Sequence, residues 1–249
     1  MCLEKLHRKL EERSRCFNMR LDKYLSNAGL GSRKDVTKLL KNKQVTVNND
    51  IVTSGQLKVS DRDIIMYGDI EVILEKYIYI MFNKPKRVIT ATKDDKHKTV
   101  MDFIDHPQVD ELFPLGRLDK NTTGILIITN DGKLGHQLLS PKNEVAKTYV
   151  VTLKKDITDD AVGKLEQGVE LSDFKTRPAK VRILKADCIE LTITEGKFHQ
   201  VKRMMHAVDN QVEQLHRQSF GGINLDADLE PGAYRRLTEK ELKILNSHV

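Results

Sequence analysis

From Arg20 onward, apolar positions recur at helical spacing. Leu21, Tyr24, Leu25 and Ala28 fall on one side before Gly29 and Gly31 interrupt the pattern, which predicts a short helix that ends there. Ser32 with Asp35 three positions later forms a capping box, and Val36, Leu39 and Leu40 give the next helix an apolar face. That helix leaves Arg33, Lys34, Lys38 and Lys41 to solvent. The run VTVNNDIV then alternates as a strand does, with Asn48, Asn49 and Asp50 as turn residues ahead of Ile51 and Val52, the pattern of a hairpin. Upstream, residues 1–18 read as a short charged helix with Leu3, Leu6 and Leu10 on one side, an extension in which nothing carries chemistry.

The passage 67–77, YGDIEVILEKY, is polar and acidic and reads as a linker or a last strand. From YIYIMFNKP the pattern changes. Short β-like runs at 78–83, 112–116, 124–129, 148–153, 180–184 and 188–194 alternate with turn signals, and helices are predicted near 99–105, 132–139, 158–167 and 198–208. Most strand connections are too short for parallel crossovers, so a mixed, largely antiparallel sheet flanked by helices is expected. The whole is an α+β chain: an extension 1–18, a small α/β module 19–66, a linker 67–77 and a larger domain 78–245, without internal repeats.

A length of 249 residues suits one medium domain and one small one. With 39% hydrophobic and 31% charged residues the chain is neither disordered nor membrane-like, and no run approaches the roughly 18 apolar residues a membrane helix needs. The first residues lack the apolar stretch of a secretory signal, so a cytoplasmic protein is expected. Cys2, Cys16 and Cys188 show no paired spacing, which supports neither a disulfide framework nor a zinc site. The net charge of +6 is placed unevenly: residues 1–50 hold 12 Lys and Arg against 6 Asp and Glu, and the rest of the chain is balanced. Clustered cations suit a polyanionic partner through release of its counterions, although a solvated basic surface accounts for the charge alone equally well.

The stretch LGRLDKNTTGILIITNDGKL, residues 115–134, holds the candidate chemistry. Gly116 permits a tight approach, Arg117 and Asp119 bracket the apolar Leu118, and Thr122-Thr123-Gly124 leads into the apolar strand ILIIT. Taken alone, Asp119 would more often be a turn or capping residue, and Asp131-Gly132 is a turn signal. His199 and His206, seven apart and without a third ligand, do not make a metal site. With neither a P-loop nor a GxGxxG fingerprint, no nucleotide cofactor is implied.

Four ordered motifs change the weighting. GRLD with TTGILI, KTYVVTL at 147–153 and EGKFHQVKRM at 195–204 resemble the signature motifs of pseudouridine synthases of the ribosomal small-subunit type. RLDKYL and SRKDVTKLL with VTVNN resemble an S4-type RNA-binding domain, with Lys43-Gln44 where that family often has glycine. The segments SPKNEVAKTYVV and LHRQSFGGINLDADLEPGAYRRLT bring the resemblance nearest to enzymes that modify 16S rRNA, while relatives acting on large-subunit rRNA share much of the pattern.

The resemblance implies a cofactor-independent, metal-free isomerase that breaks the uridine N1–C1′ bond and joins C5 to C1′. It also implies site residues. Asp119 matches the family aspartate, which adds to the base or the sugar or stabilises a cationic sugar. Lys202 matches the position whose cation keeps that carboxylate ionised, with Arg203 as the neighbouring alternative. Tyr149 matches the tyrosine that packs on a flipped base, and Leu215 an apolar residue lining the pocket. Arg117, Arg33, Lys34 and Lys38 are expected to contact RNA. The expected partner is 16S rRNA within a small-subunit assembly intermediate, with no membrane, and the chain is expected to be a monomer. The alternatives are a synthase for a large-subunit rRNA or transfer RNA uridine, and a non-catalytic S4-type ribosome-assembly factor.

Overall fold

The computed structural model describes residues 18–248, so the helix expected at the N-terminus, with Cys2 and Cys16, lies outside the described residues. The described chain is an α+β protein of two compact units, one reaching to Lys76 and including His106–Gln108, the other made of Tyr77–Asp105 and the chain from Val109 onward. No helix among the described residues is long and apolar enough to cross a membrane.

In the first unit, strand β1 (Asn18–Arg20) leads into helix α1 (Leu21–Asn27), and helix α2 (Arg33–Lys41) follows after Gly31. Ser32 and Asp35 close the expected capping box on α2. Strands β2 (Val45–Val47) and β3 (Asp50–Ile51) form the expected hairpin, with Asn48 and Asn49 both at positive φ, 53° and 74°, the conformation that a two-residue hairpin turn demands. Lys43 is also left-handed, at φ 59°, so the residue standing where the S4-type pattern often has glycine adopts a glycine-like backbone. Strands β4 (Lys58–Ser60), β5 (Ile65–Tyr67) and β6 (Ile70–Glu71) complete the unit; β4 pairs with β1, and the others form the order β3-β2-β5-β6. Leu21, Tyr24, Leu25, Val36, Leu40, Val45 and Val72 share one buried cluster, leaving Arg33, Lys34, Lys38 and Lys41 exposed on α2.

The second unit is built on one mixed sheet of strands β7 (Tyr79–Lys84), β8 (Phe113–Pro114), β9 (Thr123–Thr129), β10 (Lys147–Leu153), β11 (Lys180–Lys185), β12 (Cys188–Ile193), β13 (Val212–Phe220), β14 (Ile223–Asn224) and β15 (Tyr234–Arg236). The main order is β11-β12-β10-β13-β9-β7-β15. Every pair in it is antiparallel except β13 with β9. Helices α3 (Gly132–Leu139), α4 (Asp159–Gln167), α5 (Gln200–Ala207) and α6 (Glu239–Asn246) cover it. Residues alternate between its two faces: Leu126 and Ile128 pack with Leu165, Val201, Met204 and Met205, while Ile125 and Ile127 pack with Leu134, Leu138 and Leu245. Burial on both sides is why ILIIT is apolar without alternation.

Two expectations need correction. The helix expected at 99–105 is a single 3-10 turn, Val100–Phe103, and the one expected at 198–208 begins at Gln200. The helix expected at 132–139 forms, and Asp131 of the Asp131-Gly132 turn signal caps it, its carboxylate accepting from the Lys133 and Leu134 amides at 3.1 Å each. The longest strand, β13, and the helix α6 were not expected at all.

Candidate active site

Asp119 sits in the loop that feeds β9. The loop is fixed from below by Lys84 at the end of β7, whose fully buried ammonium donates to the carbonyls of Pro85 (3.1 Å), Lys120 (3.3 Å) and Thr122 (2.9 Å). Burial pushes the Lys84 pKa down to about 8, against the pull of Asp119, which raises it. On the other side of the loop the Thr90 hydroxyl donates to the Leu118 carbonyl at 2.8 Å and accepts from its amide at 3.1 Å. Where the loop becomes strand, Gly124 lies at φ 106° opposite Arg217 of β13, and a Cβ there would collide with the Arg217 carbonyl oxygen. The parallel pairing that ties β13 to β9 therefore requires glycine at this position.

Helix α5 brings the cation. Lys202 Nζ lies 2.6 Å from Asp119 Oδ2, both side chains being partly exposed, and His199 Nε2 lies 3.5 Å from Asp119 Oδ1. Asp119, Lys202, Tyr149, Leu215 and Arg117 line one small cavity of about 60 Å³, together with Leu118, Thr122, Ile193 and Val201. Tyr149 on β10 and Leu215 on β13 are each 7% exposed, so part of the lining is apolar and aromatic, and the Asp119 carboxylate shares the cavity with Arg117, Lys197 and Lys202. Such a pocket can hold a flat, partly polar ring against the Asp119 carboxylate.

The other expected residues lie elsewhere. Arg203 turns away from Asp119 and pairs with Asp173, with its Nη2 also 3.1 Å from the Ser172 hydroxyl. Arg33, Lys34 and Lys38 are on α2 in the first unit; Lys38 Nζ is 3.4 Å from Asp35. Among the described residues no group of His, Cys, Asp and Glu could hold a metal ion.

Sequence reasoning missed four residues that shape this region. Lys84 closes an apolar strand directly before Pro85, a signal present in YIYIMFNKP. His199 reads as a polar helix residue but precedes the helix in a left-handed conformation, φ 50°. Arg217 is buried to 2%, donates from Nε to the Ile125 carbonyl at 2.9 Å and lies against Tyr149, with burial lowering its pKa and Tyr149 opposing that shift. Lys147 at the start of β10 donates to the Val145 carbonyl at 2.7 Å and is pushed down to about 8 by burial first and by Arg217 second. A buried cation within a polar strand has no sequence signature that separates it from a solvated one.

The chain matches two family profiles, RNA pseudouridylate synthase over residues 78–207 and the S4 domain over residues 19–65. It is 46% identical to an uncharacterized RNA pseudouridine synthase of Bacillus subtilis (strain 168), across 92% of this chain and 98% of that protein. It is 45% and 40% identical to proteins named ribosomal small subunit pseudouridine synthase A from Vibrio vulnificus (strain CMCP6) and Escherichia coli (strain K12), in both cases across 90% of this chain and 98% of the relative. A crystal structure of a pseudouridylate synthase superposes with a TM-score of 0.66 at 37% identity, covering 91% of this chain and 99% of that one.

Proposed function

This chain belongs to the RNA pseudouridylate synthase family, and from that premise we propose that it converts one uridine of 16S ribosomal RNA to pseudouridine, with Asp119 as the catalytic carboxylate. The observation that carries the reading is the ion pair of Lys202 Nζ with Asp119 Oδ2, 2.6 Å long, in a pocket walled by Tyr149 and Leu215. The pairing orients the Asp119 carboxylate at the pocket, where it either attacks as a nucleophile or stabilises a cationic sugar.

The reaction breaks N1–C1′, turns the uracil and forms C5–C1′; C5 loses its proton and N1 gains one. No redox change occurs. The target base must leave its RNA helix to reach a pocket this small, and an apolar aromatic wall offsets part of the lost stacking. Tyr149 supplies that wall and places a phenol beside the base for proton removal from C5. Arg117, exposed at the pocket, and the α2 cations contact phosphate. The names of the relatives from Vibrio vulnificus and Escherichia coli support the small-subunit target; the substrate in this reading is an assembly intermediate in the cytoplasm, bound by a monomer.

The test uses 16S rRNA, free and partly assembled with ribosomal proteins, carrying tritium at uracil C5. Wild-type protein is expected to release about one tritium per RNA, and Asp119→Asn none while retaining most RNA affinity. Full activity of Asp119→Asn would remove the aspartate from the mechanism. Release from large-subunit rRNA or transfer RNA, with none from either 16S substrate, would move the target. Tight RNA binding without release from any RNA would leave an assembly factor.

A further inference from the structure

We propose that Phe198, stacked on His199, is a binding site for a second RNA base, the unpaired nucleobase next to the uridine that enters the Asp119 pocket. The proposal rests on the reading of this chain as an RNA uridine isomerase. Phe198 is 76% exposed, and no large apolar side chain among the described residues is more so. A single exposed apolar residue needs no explanation by itself, but three features set this one apart.

Its ring lies nearly parallel to the His199 imidazole, with centroids 3.8 Å apart and an interplanar angle of 19°. The pair is thus an aromatic stack with most of the Phe198 surface open. The stack also stands at the pocket itself, since His199 Nε2 is 3.5 Å from Asp119 Oδ1 and His199 lines the cavity. Finally, the loop presenting it is fixed. Gln200, 3% exposed, accepts from the Lys197 amide at 3.0 Å and donates to Glu195 at 2.9 Å. These bonds bracket the left-handed His199, a conformation that costs a non-glycine residue energy and persists only where its surroundings impose it. An exposed ring held in place by such a loop has lost the freedom to bury itself.

The chemistry that fits is a nucleobase with its phosphates. Arg117, Lys197 and Lys202 line the same cavity as His199, so cations stand on the His199 side of the stack. Extruding a uridine leaves its neighbour without a stacking partner on one side, and an aromatic ring accepts a base of any identity through its π face. Phe198 takes that place, so the extruded uridine and its neighbour are held on the two sides of His199.

Single-turnover tritium release from 16S rRNA measures the site. Phe198→Ala is expected to raise the half-saturating protein concentration about tenfold, the effect of losing one base–aromatic stack, with a smaller change in maximal rate. Phe198→Trp should restore it and Phe198→Leu should not. Because the side chain is exposed, all three variants should melt with the wild type. An unchanged half-saturating concentration in Phe198→Ala overturns the proposal, as does full rescue by leucine, which would indicate apolar cover rather than stacking. The second measurement needs no turnover: Asp119→Asn protein is irradiated with four preparations of 16S rRNA, each carrying a photoreactive analogue of one of the four bases, and the crosslinked peptides are mapped. A crosslink at Phe198 with any of the four supports the site, and its absence from all four overturns it. If the wild type released no tritium from any RNA, the isomerase reading would fall, and the crosslink would still decide the base site separately.

Discussion

At the scale of single residues, the candidate site depends on cations placed where their charge is costly or productive. In the proposed mechanism Lys202, paired with Asp119, is the productive one. Lys202→Met should lower the maximal tritium-release rate about a hundredfold, the order of loss when one preorganised charge partner is removed, whereas Lys202→Arg keeps the charge and should retain most of it. Lys84 is the costly one. Its usual value of 10.5 falls to about 8 on burial, so between these values the unfolded chain holds more protons than the fold, and stability rises as pH increases through that window. Lys84→Met removes this contribution: the urea-unfolding free energy should climb less steeply between about pH 8 and 10.5 than in the wild type. Equal slopes would mean that Lys84 keeps its ordinary affinity for protons in the fold. The motifs marked Asp119 and Lys202 as candidates. The position of His199 beside Asp119 was not legible, because it depends on a left-handed turn that residue type disfavours.

At the scale of elements, local signals succeeded where the chain alone decides and failed where the sheet decides. The α2 capping box and the Asn48-Asn49 turn are contacts within four residues, and both formed as read. Strand β13 has the sequence VEQLHRQSF, whose polar side chains hide it from any hydrophobic pattern. It is nonetheless central, paired with β10 on one side and β9 on the other, and its Arg217 is accommodated by the Ile125 carbonyl and Tyr149. Helix α6 had a usable signal that went unread: Thr238 and Glu241 form a capping box, and Arg235 grips Glu241 at 2.8 and 2.9 Å. The Arg235 hydrogen bonds hold the Glu241 pKa down at about 2. Thr238→Ala should cost about 1 kcal/mol in chemical unfolding. Glu241→Gln should lose less stability than the wild type as pH falls from 4.5 toward 2, since only the ionised carboxylate keeps the pair.

At the scale of the whole molecule, charge and chemistry are divided between two units. The first presents Arg33, Lys34, Lys38 and Lys41 on one helix, and the second holds the pocket. Replacing all four with glutamine should reduce the slope of log affinity against log salt for 16S rRNA by about three, since each neutralised phosphate contributes a little under one; an unchanged slope would show that the second unit binds RNA without them. By itself the sequence determined the α+β class, the small basic module and the apolar strand β9, because periodicity, caps and turn chemistry act over a few positions; Asp119, Tyr149, Lys202 and Leu215 were candidates only through the resemblance of their motifs to a family. Only the tertiary structure decided that β13 lies between β10 and β9, that Lys84 is buried under the Asp119 loop, that Arg203 turns to Asp173, and that Phe198 remains exposed beside the pocket. Each of these is set by the surroundings that segments distant in sequence provide, and the same lysine, arginine or phenylalanine reads identically in either setting.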